Sequence, residues 1–361
     1  MIWVAWRQFR AQALTGLVLL AAAAIFFLVT GLRMHHSYAA DLAACAPLNA
    51  CDGSTPAARA LGSRIPQLRQ SYEPMFQLLQ LLVIAVPALI GIFWGAPLIG
   101  RELETGTHQL AWNQTVTRTR WLTVKLIGIG AAAIATAAIL SWLLTWWAGP
   151  LDHLNGDRWA AMTFASRDIV PLGYAAFTFA LGTTLGLLLR RTLPAMAVTL
   201  AVFIAIQILV PAVRPHLLPS TTTTLPISQT STGFSGSQTE FHFDLPTPPG
   251  AWLTSQPPVK NSSGQVVRID SYPECFPDSQ GDASDLSPQG FAQAHIHGPR
   301  TELDQASQIG ACLAKYDLHE TVTYHPASHY WPLQWVETGI FLVLAGSLAG
   351  TCFWWIRRRQ N

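Results

Sequence analysis

Three groups of side chains in this 361-residue sequence have types and spacing that could do chemistry: eleven histidines, five cysteines, and the charged stretch RELETGTHQLAWNQTVTRTR at 101–120. Clustered imidazoles bind zinc or copper, or titrate between about pH 5 and 7. His295 and His297 stand two apart, and His319, His325 and His329 gather before the last apolar run, while His35, His36, His153, His216 and His242 are scattered. None of these spacings matches a closed metal site, so no metal ligand is assigned. The sequence contains no G-x-S-x-G elbow and no H-E-x-x-H helix, which removes common serine hydrolase and zinc protease arrangements. A G-x-x-x-x-G-K-[ST] phosphate loop is missing too, so the chain reads as no enzyme and as having no nucleotide site of its own.

The cysteines fall into two polar stretches, Cys45 with Cys51 and Cys275 with Cys312, and Cys352 lies alone in an apolar run. Two such pairs fit disulfides in an oxidising compartment, with Cys45–Cys51 and Cys275–Cys312 the local choice among the three connectivities that four cysteines allow.

The elements that must position these groups are membrane helices. Half of the residues are apolar, only 12% are charged, and there are 14 Trp, too greasy for an ordinary soluble domain of this length. Six apolar runs are long enough, at about 20 residues, to cross a hydrocarbon core of about 30 Å: 13–33, 75–99, 122–147, 168–189, 193–213 and 334–356. Lys and Arg accumulate on the cytoplasmic side. With the N-terminus inside, the inside segments hold Arg7, Arg10, Arg101, Arg118, Arg120, Lys125, Arg190, Arg191 and Arg357 to Arg359 against only Glu102 and Glu104, and nearly all remaining acid lies outside. The expectation is an all-α polytopic membrane protein with six transmembrane helices, N-in and C-in, and a small α+β extracytoplasmic insertion between helices 5 and 6. A cleaved signal peptide is the other reading of the first run, and it would leave the five later spans intact.

Four regions follow. Residues 1–12 place Ile2, Trp6 and Phe9 on one helical face with Arg7 and Arg10 opposite, which suits either an interfacial helix or an extension of span 1. Residues 13–213 hold spans 1 to 5, and 334–361 hold span 6 with a basic tail. Residues 214–333 form the insertion, beginning with a Ser/Thr-rich stretch, PSTTTTLPISQTSTGFSGSQTE, that reads as extended or flexible linker. FHFDL, AWLTS and QVVRIDSYPEC then read as short strands, and TELDQASQIGACLAKY as an amphipathic helix. Arg33, Lys125 and Glu337 come near the spans only at their expected ends, where snorkelling is cheap. No carboxylate is expected near the midplane, which argues against proton- or sodium-coupled transport. Gly91 with Gly95, and Gly182 with Gly186, are small-xxx-small pairs that permit close helix contact.

The stretch at 101–120 is more elaborate than a turn requires. RELET can continue span 2 until Gly106 stops it, Thr107 can cap a short helix HQLAWNQ that presents Leu110 and Trp112 to an apolar surface, and Thr117 can cap span 3. Arg118, Arg120 and Lys125 would hold that end at the headgroups.

Glu102-x-x-x-Gly106-Thr107, then Leu110, Val116-Thr117-Arg118 and Lys125, resembles the segment between the second and third spans in permease subunits of type-2 (ABC-2) ABC transporters, mostly exporters. The whole chain is similar to the actinobacterial branch of that group, with TYHPASHYWPLQWVETGIF and the FWWIRRR ending also in character. Two positions depart from the pattern: Thr115 stands where a proline is common, and the N-terminal helix is short. The resemblance implies a coupling helix that docks on a separate ATPase, with Glu102, Gly106, Thr107 and Arg118 as coupling residues and Glu104, Leu110 and Trp112 beside them. It also implies a bacterial plasma membrane location with 214–333 extracellular, two ABC ATPase subunits binding ATP and Mg, and a second permease copy, homodimeric or heterodimeric. No cofactor is expected on this chain, and the lipid bilayer but no nucleic acid is among its partners. The competing reading is a membrane-anchored extracytoplasmic binding or sensor protein whose working part is the insertion. An apolar, charge-poor interior suits lipophilic drugs, peptides, lipids or glycolipids alike.

Overall fold

The computed structural model describes residues 2–45, 56–105, 117–155, 158–226, 234–236, 241–243, 248–268, 271–272, 274–275 and 311–358. Six helices within it are long and apolar enough to cross a membrane: Ala13–Asp41, Gln70–Glu104, Thr119–Trp147, Val170–Leu189, Thr192–His216 and Ala327–Arg358. They are spans 1 to 6 below. The first helix runs unbroken from Ile2 to Cys45, so the basic, Trp-bearing start and span 1 are one rod with no break at residue 12. Contacts divide the chain into two compact units, Met1–Leu217 with Tyr330–Asn361, and Leu218–His329.

Span 4 is the hub of the first unit. Its sequence, VPLGYAAFTFALGTTLGLLL, is apolar on every side, as a helix surrounded by others must be. Small residues at Gly173, Ala176, Ala180, Gly182 and Gly186 let neighbours approach from several directions, and nearly every residue is buried. The closest approach is to span 2. A Cβ on Gly95 would sit 2.7 Å from the Phe179 carbonyl oxygen, one on Gly91 2.8 Å from the Thr178 oxygen, and one on Gly186 2.5 Å from the Ala96 oxygen. The two glycine pairs seen in the sequence therefore meet each other within one chain. Span 2 passes this contact through a π-helical turn, Gly91–Gly95. There the Thr178 hydroxyl lies between the Pro87 carbonyl at 2.6 Å and the Tyr174 carbonyl at 2.9 Å, and it can donate its one proton to either.

Spans 3 and 4 are joined by two short helices, Gly149–Asn155 and Ala161–Ser166. Thr163 on the second accepts a hydrogen bond from the buried Gln80 amide of span 2 at 2.9 Å. Spans 4 and 5 are joined by only Arg190, whose φ of 52° is left-handed, and Arg191.

The second unit holds a three-stranded antiparallel sheet and a two-stranded ribbon. β1 (Thr221–Pro226) and β4 (Trp252–Ser255) flank β5 (His319–His325), while β2 (Phe234–Gly236) pairs with β3 (Phe241–Phe243). The Thr-rich segment expected to be linker is thus in part a strand: Thr221 to Thr224 pair with Tyr324 to Thr321. Their β-branched side chains fit a pleated surface, and a partner strand about 100 positions away supplies the pairing. QVVRIDSYPEC forms no strand among the described residues, only a bridge between Val266 and Lys260. Most of the expected helix TELDQASQIGACLAKY lies outside the described residues. Cys275 and Cys312 form a disulfide with Cα atoms 5.5 Å apart, beside a small core of Val259, Val267, Leu313, Leu318 and Val322. Cys51 lies outside the described residues, and the side chain of Cys45 is not described. The Tyr316 hydroxyl donates to Glu274 at 2.5 Å, and that bond holds the Glu274 carboxyl below the usual carboxylate range. His325 and His329 place their Nδ1 atoms 3.3 Å apart, and Trp252 stacks on His325. Among the described residues, no three His, Cys, Asp or Glu side chains converge as a metal site.

Candidate functional site at the loop between spans 2 and 3

Span 2 ends in the helical segment Ala96–Glu104, and Thr105 closes it by donating both its amide (3.1 Å) and its hydroxyl (2.9 Å) to the Arg101 carbonyl. Span 3 belongs to the helix Arg118–Trp147, preceded by Thr117 in an extended conformation. Thr117 occupies the N-cap position expected of it, but its side chain makes no capping hydrogen bond. Gly106, Thr107, Leu110 and Trp112 lie outside the described residues, and Arg118 is described only as the first residue of its helix.

The two glutamates are engaged with the chain itself. Lys125 donates to Glu102 Oε1 at 2.5 Å, and its ammonium also sits over the Trp121 ring, 4.6 Å from the centroid. The Lys125 side chain is 5% exposed and that of Glu102 15%. The expectation that Lys125 anchors span 3 at lipid headgroups is therefore wrong. It lies inward from the helix start, on the face packed against span 2, where an ammonium must find a counter-charge. Glu104 Oε1 accepts the backbone N–H of Thr192 at 3.1 Å, and Oε2 accepts its hydroxyl at 2.6 Å. Thr192 is the first residue of the span 5 helix, so a carboxylate from span 2 fills the role of an N-cap. Beneath these polar ties, Ile99, Trp121, Leu122, Leu187, Cys352 and Ile356 bring spans 2, 3, 4 and 6 into one apolar cluster.

A second polar group lies at the far ends of the spans. Arg214, in the last turn of span 5, donates to Glu337 of span 6 through Nε (2.9 Å) and Nη2 (3.3 Å). The Tyr174 hydroxyl of span 4 donates to Glu337 Oε1 at 2.6 Å. The Arg214 and Glu337 side chains are 1% and 2% exposed, and the guanidinium stacks over Phe164 at 4.1 Å. Glu337, expected near a headgroup, is instead sealed against a cation, because its helix face packs on span 4. Gln334, one turn earlier, accepts from the amides of Ile169 (3.3 Å) and Val170 (3.2 Å), satisfying donors at the start of span 4. Arg167 donates twice to Asp152 at 2.6 Å. Burial opposes its charge, but the hydrogen bonds and charge of Asp152, with further help from the Asp168 carboxylate, hold its pKa above the ordinary value.

Sequence reasoning singled out Lys125 and Glu337 as charges beside apolar runs but not what they meet. Thr192, Arg214, Tyr174 and Gln334 carried no signal of their own, since their partners are distant in sequence.

The ABC-2 membrane transporter related family has a model that matches residues 17–214, more than half of the chain. The chain belongs to that family. It is an ABC-2 type permease, a multi-pass membrane component of a transporter family whose members associate with an ABC ATPase. The matched stretch includes both roots of the loop and Thr192, and it ends at Arg214. Neither a search of curated proteins nor one of solved structures gives a match.

Proposed function

We propose that this permease is the membrane half of an ATP-driven exporter, in which two copies, or one copy and a related permease, assemble with two ABC ATPase subunits. The observation that carries this reading is the loop between spans 2 and 3. Its pattern, Glu102-x-x-x-Gly106-Thr107 with Leu110, Trp112 and Arg118, occurs in a chain of the ABC-2 family, and its roots are tied to spans 3 and 5. A loop anchored in this way can transmit a displacement, whereas a slack one would absorb it. ATP binding favours one arrangement of the ATPase pair, and the loop transfers that preference to the spans. The loop and both termini face the cytoplasm in this reading, and 214–333 faces outward, in line with the Lys and Arg distribution. Span 5 buries only Ala195, Thr199 and Phe203 of its helix within this chain, so most of it is available to lipid or to a second permease.

The test is co-purification of the full-length permease with an ABC ATPase co-expressed from the same source, comparing wild type with Gly106→Pro and Leu110→Asp. Both variants are expected to insert normally and to lose the ATPase. Retention of wild-type ATPase binding by both would overturn the assignment of the loop.

A further inference from the structure

Glu102 and Lys125 stand at the two roots of the 106–116 segment, one in the last turn of span 2 and the other about two turns into span 3. Their contact closes the base of the loop. Lys125 is held inside the protein by Trp121 and by this carboxylate, so Glu102 could reach out to a docking protein only by abandoning a buried ammonium. Glu104 is committed as well, with each of its oxygens bound to Thr192. Thr192 in turn follows a two-residue turn, Arg190 and Arg191, so whatever pulls it also pulls the joined ends of spans 4 and 5. The contact runs from span 3 through the end of span 2 to the start of span 5.

We infer that Glu102 and Glu104 are positioning residues that mount the loop on the spans: Glu102 clamps its two roots through Lys125, and Glu104 links that clamp to span 5 through Thr192. The inference rests on the coupling role proposed above and deepens it. It takes the two glutamates out of the contact with the ATPase and gives them the task of passing the loop's displacement inward. A contact residue and a mounting residue respond differently to changes at their buried partners. If Glu102 touched the ATPase, Lys125, at 5% exposure, would matter little for docking. If Glu102 acts through Lys125, either loss has the same effect and exchanging the two charges restores function.

The experiment uses the full-length permease with its ATPase in lipid nanodiscs and compares Glu102→Gln, Lys125→Met, the swap E102K/K125E, Glu104→Gln and Thr192→Val. Expected are wild-type amounts of bound ATPase, a fall of roughly five- to tenfold in ATP hydrolysis by the complex for each single variant at Glu102 and Lys125, and recovery in the swap. Thr192→Val is expected to reproduce Glu104→Gln. Accumulation of the swap where neither single variant accumulates would also support the pairing. Loss of ATPase binding in Glu102→Gln with Lys125→Met unaffected would make Glu102 a direct contact and overturn the inference while leaving the exporter reading intact. So would wild-type hydrolysis in all the single variants. If no ATPase binds the wild type, the exporter reading fails, and the mounting is judged on the permease alone. Hydrogen exchange across 101–120 is then expected to quicken in Lys125→Met, and unchanged exchange would sink the clamp.

Discussion

The two ends of the membrane unit are held by chemically different ties. At the loop end, Glu104 is exposed and Glu102 partly so, and the ties are one ion pair and one pair of hydrogen bonds to Thr192. At the far end, Arg214, Glu337 and Tyr174 are sealed from solvent, flanked by Gln334 on the first amides of span 4 and by the Arg167–Asp152 pair. Water can replace the lost contact between exposed Glu104 and Thr192, but not one at the sealed far end. The far end therefore acts as a fixed joint, since breaking it strands a charge in an apolar setting, whereas at the loop end the Glu104–Thr192 tie can be remade during a working cycle. Sealing two charges is a poor way to gain stability, because an apolar replacement of similar volume does as well. What the sealed group does is tie spans 4, 5 and 6 to one another through Tyr174, Arg214 and Glu337.

The sharpest way to break this contrast is at Arg214. Arg214→Met is expected to destabilise the permease by about 3–5 kcal/mol, because Glu337 stays buried without its cation. Reversible unfolding in mixed detergent would read the loss. The combined replacement of Arg214 and Glu337 by Met with Tyr174→Phe should recover most of it, and a triple variant as unstable as the single one would refute the joint. A smaller effect is expected from Gln334→Leu, which removes the acceptor for two amides at the start of span 4 and should cost about 1–3 kcal/mol in the same measurement. The smallest is at the loop end. Glu104→Gln should leave global unfolding unchanged and show, among stability measurements, only faster hydrogen exchange at the Thr192 amide. A global loss there as large as that of Gln334→Leu would erase the distinction between the ends.

The six spans were legible because about 20 apolar residues in a row are a strong local signal. Of the loop, the helical end of span 2 and the extended Thr117 before span 3 were legible, while the Gly106 stop and the second helix start lie outside the described residues. What could not be read is pairing. Glu102 and Lys125 are separated by 23 positions, and Arg214 and Glu337 by 123, so Lys125 and Glu337 look in the sequence like unpartnered charges at the ends of apolar runs. Which helix faces meet is decided by packing, and the glycines of span 4 do much of that deciding. The short helices at 149–155 and 161–166 escaped notice because fewer than eight residues show no clear periodicity. Thr221 to Thr224 read as extended or flexible linker because the Ser- and Thr-rich composition around them outweighs the strand preference of each Thr, and the strand that pairs with them is remote in sequence.

The glycine seam between spans 2 and 4 also bears on what can cross the bilayer here. With the Gly95 and Gly186 Cα atoms set against carbonyl oxygens of the opposite helix, no side chain or solvent molecule fits between the two rods. That seam is a wall. A cargo molecule must travel along some other face of the permease, and a single methyl group added at Gly182 would push the wall apart rather than open a door in it.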